Sequence, residues 1–156
     1  MSVEVRGPVP TQQVFLYQIP QIPPGSKIRF LGCVSNYDAS RGVITFEHNY
    51  TNAQTRRGNQ ATSSVNAVEV DVNLLLESLT HTEVQIGAWL NVFGYVREQV
   101  SPGFCPSSTS RGHIKANQVY VEAIMIIPAG AIRLGEYERV LQDAQEADRR
   151  VNRPST

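Results

Sequence analysis

The feature that most constrains the fold is an apolar strand with a glycine in its middle, residues 26–37 (SKIRFLGCVSNY). Because alternate residues point to opposite faces of a strand, we expect Ile28, Phe30, Gly32 and Val34 on one face. Glycine inside a strand weakens regular pairing and marks a bulge or the sharp bend of a small barrel. We therefore predict that this strand pairs at one end with a second strand and at the other with a fourth, which closes a small barrel.

The size and composition of the chain fit one globular domain. It has 156 residues, enough to bury its own core, and its 14 basic and 14 acidic residues balance. This neutrality argues against a strong nucleic-acid binder acting alone, although it leaves room for a local basic patch. Cys33 and Cys105 are too few for a disulfide scaffold, and no apolar run approaches the roughly 20 residues that cross a bilayer. We expect a soluble intracellular protein with no signal peptide and no membrane contact.

The elements follow one another in an order that can be read along the chain. Residues 1–25 contain five prolines and predict an extended or irregular arm, with residues 14–22 docked on the domain. A short helix over residues 74–79 is expected to plug one end of the barrel with Leu75, Leu76 and Leu79. The predicted strands are 27–37, 43–48, 65–72, 88–97 and 115–127, joined by a DASRG turn at 38–42 and by long polar loops at 49–64 and 99–112.

The alternation of residues in the fourth strand and the helical period of the C-terminal segment predict which of their side chains are buried. In the fourth strand, Leu90, Val92, Gly94 and Val96 suit a tight interior and leave aromatic residues outside. Residues 131–151 are predicted to contain a helix whose apolar stripe is about 100° wide. Residues 152–156 are expected to be a disordered tail.

Five strands, a short helix between the third and the fourth, and a helix after the fifth give the element order of an OB-fold. We therefore predict a mainly all-β protein with a single five-stranded Greek-key barrel over residues 26–127, followed by a C-terminal helix. Another small all-β barrel with a terminal helix is the alternative.

No constellation for catalysis is found in the sequence. His48, His81 and His113 are scattered without metal-ligand spacing, and neither of the glycine-rich phosphate-binding motifs is present. Cys105 has no histidine or basic cluster beside it in the sequence to activate its thiol. We expect a non-enzymatic protein with no catalytic residues, no metal and no cofactor.

Binding is therefore the expected activity. OB-folds bind oligonucleotides or oligosaccharides on the face of their second and third strands and with the adjoining loops. Basic side chains supply phosphate contacts and aromatic rings stack on bases; the alternative is that these residues are solvated or covered by the N-terminal arm. The candidate nucleic-acid-binding residues are Arg29, Tyr37, Arg41, Tyr95, Arg111 and Lys115.

The terminal helix presents a second candidate surface. Tyr137, Val140, Leu141 and Ala144 share its apolar stripe and are the candidate partner-binding residues, each large side chain able to contribute about 1.5–3 kcal/mol when buried. We favour a partner as the occupant of this stripe; packing onto the chain's own barrel is the alternative.

Four segments together resemble a known family, the smallest subunit of the trimeric CST telomere-capping complex, a relative of the smallest subunit of replication protein A. They are PPGSKIRFLGCVSNYD, VDVNLLLE, VQIGAWLNVFGYV and LGEYERVLQDAQEA. The resemblance implies a single OB-fold that pairs with the middle OB subunit of the complex, largely through the terminal helix, and meets the large subunit indirectly. It also implies a nuclear, telomeric role in holding that complex on single-stranded G-rich DNA and in lagging-strand fill-in.

Two other functions stay open at this point. One is a stand-alone module that binds single-stranded nucleic acid, which the basic and aromatic residues listed above favour. The other is an OB module for protein or carbohydrate recognition, unrelated to telomeres. The loops at 49–64 and 99–112 depart from the compact pattern of the family.

Overall fold

The computed structural model describes residues 7–50, 67–99 and 118–152. In chain order its elements are β1 (Gln12–Gln13), a 3-10 helix (Leu16–Gln21), β2 (Lys27–Asp38), β3 (Val43–Glu47), β4 (Ala67–Asp71), a 3-10 turn (Asn73–Leu75), β5 (Trp89–Glu98), β6 (Val119–Pro128) and α1 (Leu134–Val151).

Strand β2 closes the barrel by changing partners at Cys33. Residues from Lys27 to Cys33 pair with β5, and those from Cys33 to Asp38 pair with β3. The remaining pairs run β3 to β4, β4 to β6 and β6 to β5, so that the order returns to β2. Only β4 and β6 are parallel within this ring of strands. The predicted OB-fold and the predicted change of partner are confirmed.

The alternating pattern of β2 and β5 places the barrel core as predicted. Ile28 and Phe30 are buried opposite Gly94 and Val92 of β5, and Val34 is buried opposite Phe46 of β3. Phe30 meets Phe46 edge-on at a ring distance of 6.0 Å. An added Cβ on Gly32 would lie 2.9 Å from the Cβ of Phe46, so this glycine allows a close approach inside the barrel. The bulge of β2 lies elsewhere, between Val34 and Asn36.

The N-terminal arm is more ordered than the prolines suggest. Gln12 and Gln13 form β1, which runs parallel to the start of β2, and residues 16–21 form a 3-10 helix that contains Pro20. Val14, Leu16 and Ile19 belong to the barrel core, which confirms the docking of residues 14–22. Burial of such side chains is worth about 1.5–3 kcal/mol each, which outweighs the irregular tendency of the sequence.

The predicted plug between β4 and β5 is shorter than expected. The 3-10 segment covers only Asn73–Leu75. Leu75 and Leu79 pack against the core as predicted, but Leu76 is 44 % exposed, so its predicted inward position is wrong. Leu76 and Leu79 lie beyond this single turn, so no continuous helix holds the three leucines on one side.

The C-terminal helix runs from Leu134 to Val151, within the predicted segment 131–151 and with the bounds that the helical period indicates. The predicted beginnings of the third strand, at 65, and of the fifth, at 115, lie outside the described residues, as do residues 153–156 of the predicted tail. Within the described ranges, no helix is long and apolar enough to cross a membrane.

Candidate partner and nucleic-acid surfaces

One side of α1 is tied to the barrel by polar contacts from residues far away in the sequence. Glu138 Oε1 lies 2.8 Å from Nε2 of the buried His48, and Gln142 Oε1 accepts a 3.0 Å hydrogen bond from the Tyr50 hydroxyl. The amides of Gln18 and Gln145 donate to each other at 3.1 and 2.8 Å. These contacts fix the rotation of the helix about its axis.

That rotation divides the predicted partner-binding stripe. Leu141 is 3 % exposed and Tyr137 is half-buried, so both face the barrel of their own chain. Val140 is 66 % exposed and Ala144 is exposed. For Leu141 and Tyr137 the alternative of self-packing therefore describes this structure, while Val140 and Ala144 are accessible.

The exposed apolar residues of α1 form a line of their own. Val140, Ala144, Ala147 and Val151 follow the spacing i, i+4, i+7 and i+11, which puts them on one side of the helix, and all four are exposed. We call these four residues the apolar stripe. Three residues of β6 are also exposed, namely Ile124 (37 %), Met125 (44 %) and Ile127 (44 %).

The Tyr137 hydroxyl lies beneath the helix. It is buried without a hydrogen-bond partner of good geometry. Burial raises the pKa of this hydroxyl, and the nearby Gln13 side chain, the Arg29 charge and the Leu31 backbone offset part of that rise. A buried hydroxyl without a good partner lowers the free energy of unfolding. The ring of Tyr137 therefore packs beneath the helix while its hydroxyl reduces stability.

Among the described residues, carboxylates outnumber basic groups on the face that OB-folds use for ligands. Arg41, in the turn between β2 and β3, is exposed, but its guanidinium lies 3.4 Å from Glu69 and 4.0 Å from Asp38. It borders a groove of about 560 Å³ whose lining residues are Arg41, Val43, Glu69, Asp71, Glu98, Gln99 and Tyr120. Carboxylates repel phosphates, so the described lining of this groove is a poor track for a nucleic-acid backbone.

Tyr37 was expected on the outer surface, and the structure places it against the core. The bulge of β2 reverses the side that later residues face, because a one-residue shift moves every side chain to the other face. Tyr37 consequently sits opposite the buried Ile44 and packs on the core cluster. Its expected outward position is therefore wrong, whereas its role as a stacking residue stays a prediction.

The other predicted nucleic-acid residues on the described strands are engaged within the chain. The Arg29 guanidinium lies 5.2 Å from the centre of the Phe93 ring and 3.5 Å from Asn91 Oδ1. Tyr95 faces outward as predicted, and the Arg97 guanidinium lies 5.3 Å from its ring centre. Arg111 and Lys115 lie outside the described residues.

A cluster of rings lies where the N-terminal arm meets the end of β3. Phe15, Tyr17 and Tyr50 are nearly parallel, with centroids 4.5 to 6.0 Å apart, and we call them the aromatic platform. His48 and Trp89 meet edge-on beside it at 5.4 Å. The platform was not found by sequence analysis, because it is assembled from segments about 30 residues apart, which no local period reveals.

Two kinds of reactive site, metal clusters and activated thiols, were sought among the described residues. No three His, Cys, Asp or Glu side chains there come together as a metal site. Burial, and secondarily Glu47, raises the pKa of the Cys33 thiol, so it is less reactive than an ordinary cysteine. Cys105 lies outside the described residues.

Comparison with known proteins adds to this geometry. The family model described as "Telomere capping, CST complex subunit" matches residues 1–142. Similar solved structures include a chain of the S. pombe Stn1–Ten1 complex (TM-score 0.59, 22 % identity, covering 90 % of this chain and 96 % of that chain). The telomere-capping protein Ten1 of S. pombe has a TM-score of 0.58 and 22 % identity, and the match covers 88 % of this chain and 99 % of that chain. A chain of U. maydis replication protein A, solved bound to single-stranded DNA, has a TM-score of 0.51 and 15 % identity, and the match covers 90 % of this chain and 94 % of that chain.

No curated protein matches the sequence. The structural neighbours show the fold, and the family match extends over most of the chain, including both the barrel and the first part of α1. This chain therefore belongs to the Ten1 family of telomere-capping, CST complex subunits.

Proposed function

We propose that this chain is the non-catalytic small subunit of a nuclear telomere-capping complex and pairs with a second OB-fold subunit through α1. The observation that carries the proposal is the apolar stripe, which stays exposed while the opposite side of the same helix is held on the barrel. The S. pombe relative was solved in complex with Stn1, which supports a middle OB subunit as the partner.

The shape of the apolar stripe suits a helix as the contact. Val140 and Val151 are eleven residues apart, so the stripe is about 16 Å long at the helical rise of 1.5 Å per residue. Its alternating spacing of four and three residues is that of helices packed side by side. Small alanines between two valines allow a partner helix to approach closely.

Single-stranded telomeric DNA is expected to be held mainly by the assembled complex, with the large subunit reached through the partner. Three observations support a minor role for this chain in DNA binding: the carboxylates that line the groove, the pairing of Arg41 with Glu69, and the zero net charge of the chain. The subunit then contributes to G-rich overhang binding and to lagging-strand fill-in by stabilising its partner.

Co-expression with the middle OB subunit, followed by size-exclusion chromatography, tests the pairing. Val140→Glu combined with Ala144→Glu is expected to release the partner, because two carboxylates would be buried in an apolar contact. Arg139→Glu, beside the stripe on the charged side of the helix, is the matched control and is expected to leave the complex intact. Co-elution of the Val140 and Ala144 double variant at the wild-type volume would rule out the stripe as the interface.

A salt titration of the chain alone separates the proposal from a stand-alone nucleic-acid module. Binding of single-stranded DNA by the isolated chain tighter than about 10 µM at physiological salt, with a steep salt slope, would favour the stand-alone module. Weak binding that rises when the partner is added is the result expected here.

A further inference from the structure

The aromatic platform has a buried ring covered by two accessible ones. Phe15 is 2 % exposed, whereas Tyr17 and Tyr50 are half-buried, so the tyrosines lie on the solvent side. The rings of Phe15 and Tyr50 are 4.5 Å apart at an interplanar angle of 10°, and those of Tyr17 and Tyr50 are 6.0 Å apart at 9°. The two tyrosine rings are therefore nearly parallel to each other and to the buried ring of Phe15.

Among the described residues, the surroundings of the platform are polar but carry little charge. The amide groups of Gln18, Gln142 and Gln145 lie along its border with α1. Arg149 is near enough to lower the pKa of Tyr17 in part, against the larger rise from burial. The nearby carboxylate, Glu138, is already paired with His48.

We propose that Tyr17 and Tyr50 form a stacking site for a base of single-stranded nucleic acid. Aromatic faces bind bases of any sequence, and side-chain amides can donate to and accept from a base edge. The site is distinct from the acidic groove around Glu69, where OB-folds usually bind ligands. The proposal rests on the proposed function only in that the complex brings the DNA to this chain.

The composition of the site predicts how the affinity for nucleic acid depends on salt. A contact made by phosphate pairing weakens with salt, because it releases counterions, whereas stacking on a neutral ring does not. The energetic contribution of Tyr17 and Tyr50 should therefore be the same at low and at moderate salt.

Fluorescence anisotropy with a labelled mixed-sequence single-stranded DNA of about 16 nucleotides tests this, on the subunit complex and on the chain alone. Tyr17→Leu and Tyr50→Leu keep an apolar cover over Phe15 but remove the ring face. Each is expected to lower affinity about fivefold or more, by the same factor at every salt concentration. Tyr17→Phe and Tyr50→Phe retain the ring and are expected to bind like the wild type.

Each other result overturns the inference. Leucine variants that bind as tightly as the wild type would remove the site, and a loss that fades with added salt would make it a charge contact. Leucine variants that release the partner on size exclusion would make the platform a protein contact. If the wild-type subunits do not co-elute, the proposed function fails, and the chain alone still decides: binding unaffected by the leucine variants, or no binding at all, sinks the stacking site.

Discussion

His48 Nε2 lies 2.8 Å from Glu138 Oε1, and this contact joins the end of β3 to the second turn of α1. The His48 side chain is 2 % exposed and is enclosed by the rings of Phe15, Tyr50 and Trp89. A buried polar pair requires one specific orientation, which apolar packing alone does not. The pair therefore helps to decide which side of α1 faces solvent.

Removal of this contact should loosen the helix. Glu138→Ala leaves a buried imidazole without its partner, and we expect the free energy of unfolding to fall by about 1.5–3 kcal/mol. Urea denaturation measures this. Glu136→Ala is the matched control, because its ion pair with Arg133 is exposed and such pairs contribute about 0–1 kcal/mol. Equal losses in the two variants would contradict a structural role for the His48 contact.

The buried hydroxyl of Tyr137 should make stability sensitive to alkaline pH. Burial raises its pKa above 10.0, so the folded state keeps the proton that the unfolded chain loses. The resulting stability is complete below pH 10 and declines as the pH rises through the folded-state value. Tyr137→Phe should therefore lose less stability between pH 8 and alkaline pH than the wild type.

The same variant should be no less stable than the wild type at neutral pH, and up to about 1 kcal/mol more stable, since it removes a buried donor without a good partner. Urea midpoints at both pH values measure the two effects. Tyr17 and Tyr50, whose pKa values are also raised by burial, are present in both proteins and cancel in the comparison. A marked loss at neutral pH would mean that the hydroxyl forms a productive hydrogen bond.

Gly94 should tolerate no side chain. An added Cβ would overlap the carbonyl oxygen of Glu122 and crowd the Val121 side chain, at the point where the pairing of β5 with β6 shifts register. Gly94→Ala is expected to cost about 1–3 kcal/mol or more. Gly135→Ala is the control, because nothing lies near its added Cβ and alanine favours the helix by up to about 1 kcal/mol. Thermal denaturation of both variants would show opposite shifts; a stable Gly94→Ala protein would refute the close approach.

Glu69 should hold Arg41 away from phosphate. In Glu69→Gln the guanidinium loses its 3.4 Å carboxylate partner, so the affinity of the isolated chain for single-stranded DNA should rise a few-fold. The slope of log K against log salt should steepen by about one at most, as one phosphate contact adds. Glu77→Gln, an exposed change of the same charge outside the groove, serves as control. An unchanged slope in Glu69→Gln would show that Arg41 is not available to phosphate even when released.

Periodicity located the barrel because burial repeats along each strand. The alternation of Leu90, Val92 and Val96 is the direct record of their inward position, and the strand order follows from it. The DASRG turn was predictable for a local reason as well: Asp38 Oδ1 accepts hydrogen bonds from the backbone of Ser40 and Arg41, within three residues.

The candidate surfaces were less predictable, because they depend on partners distant in the chain. Arg41 appears basic in sequence, yet Glu69, 28 residues on, offsets its charge. Tyr37 follows the alternation of β2 until a bulge, for which its neighbours give no signal, reverses its side. The aromatic platform joins two segments that have no common period.

By itself the sequence determined the OB strand order, the extent of α1 and the family resemblance, since these depend on local periodicity and on short segments. Only the tertiary structure decided which side of α1 is free. The helical period predicts one apolar arc, but the polar contacts of Glu138, Gln142 and Gln145 turn that arc so that Leu141 is buried and Val140 is exposed. The reason is physical: periodicity measures how apolar a face is, whereas buried hydrogen bonds between distant residues fix the direction in which that face points.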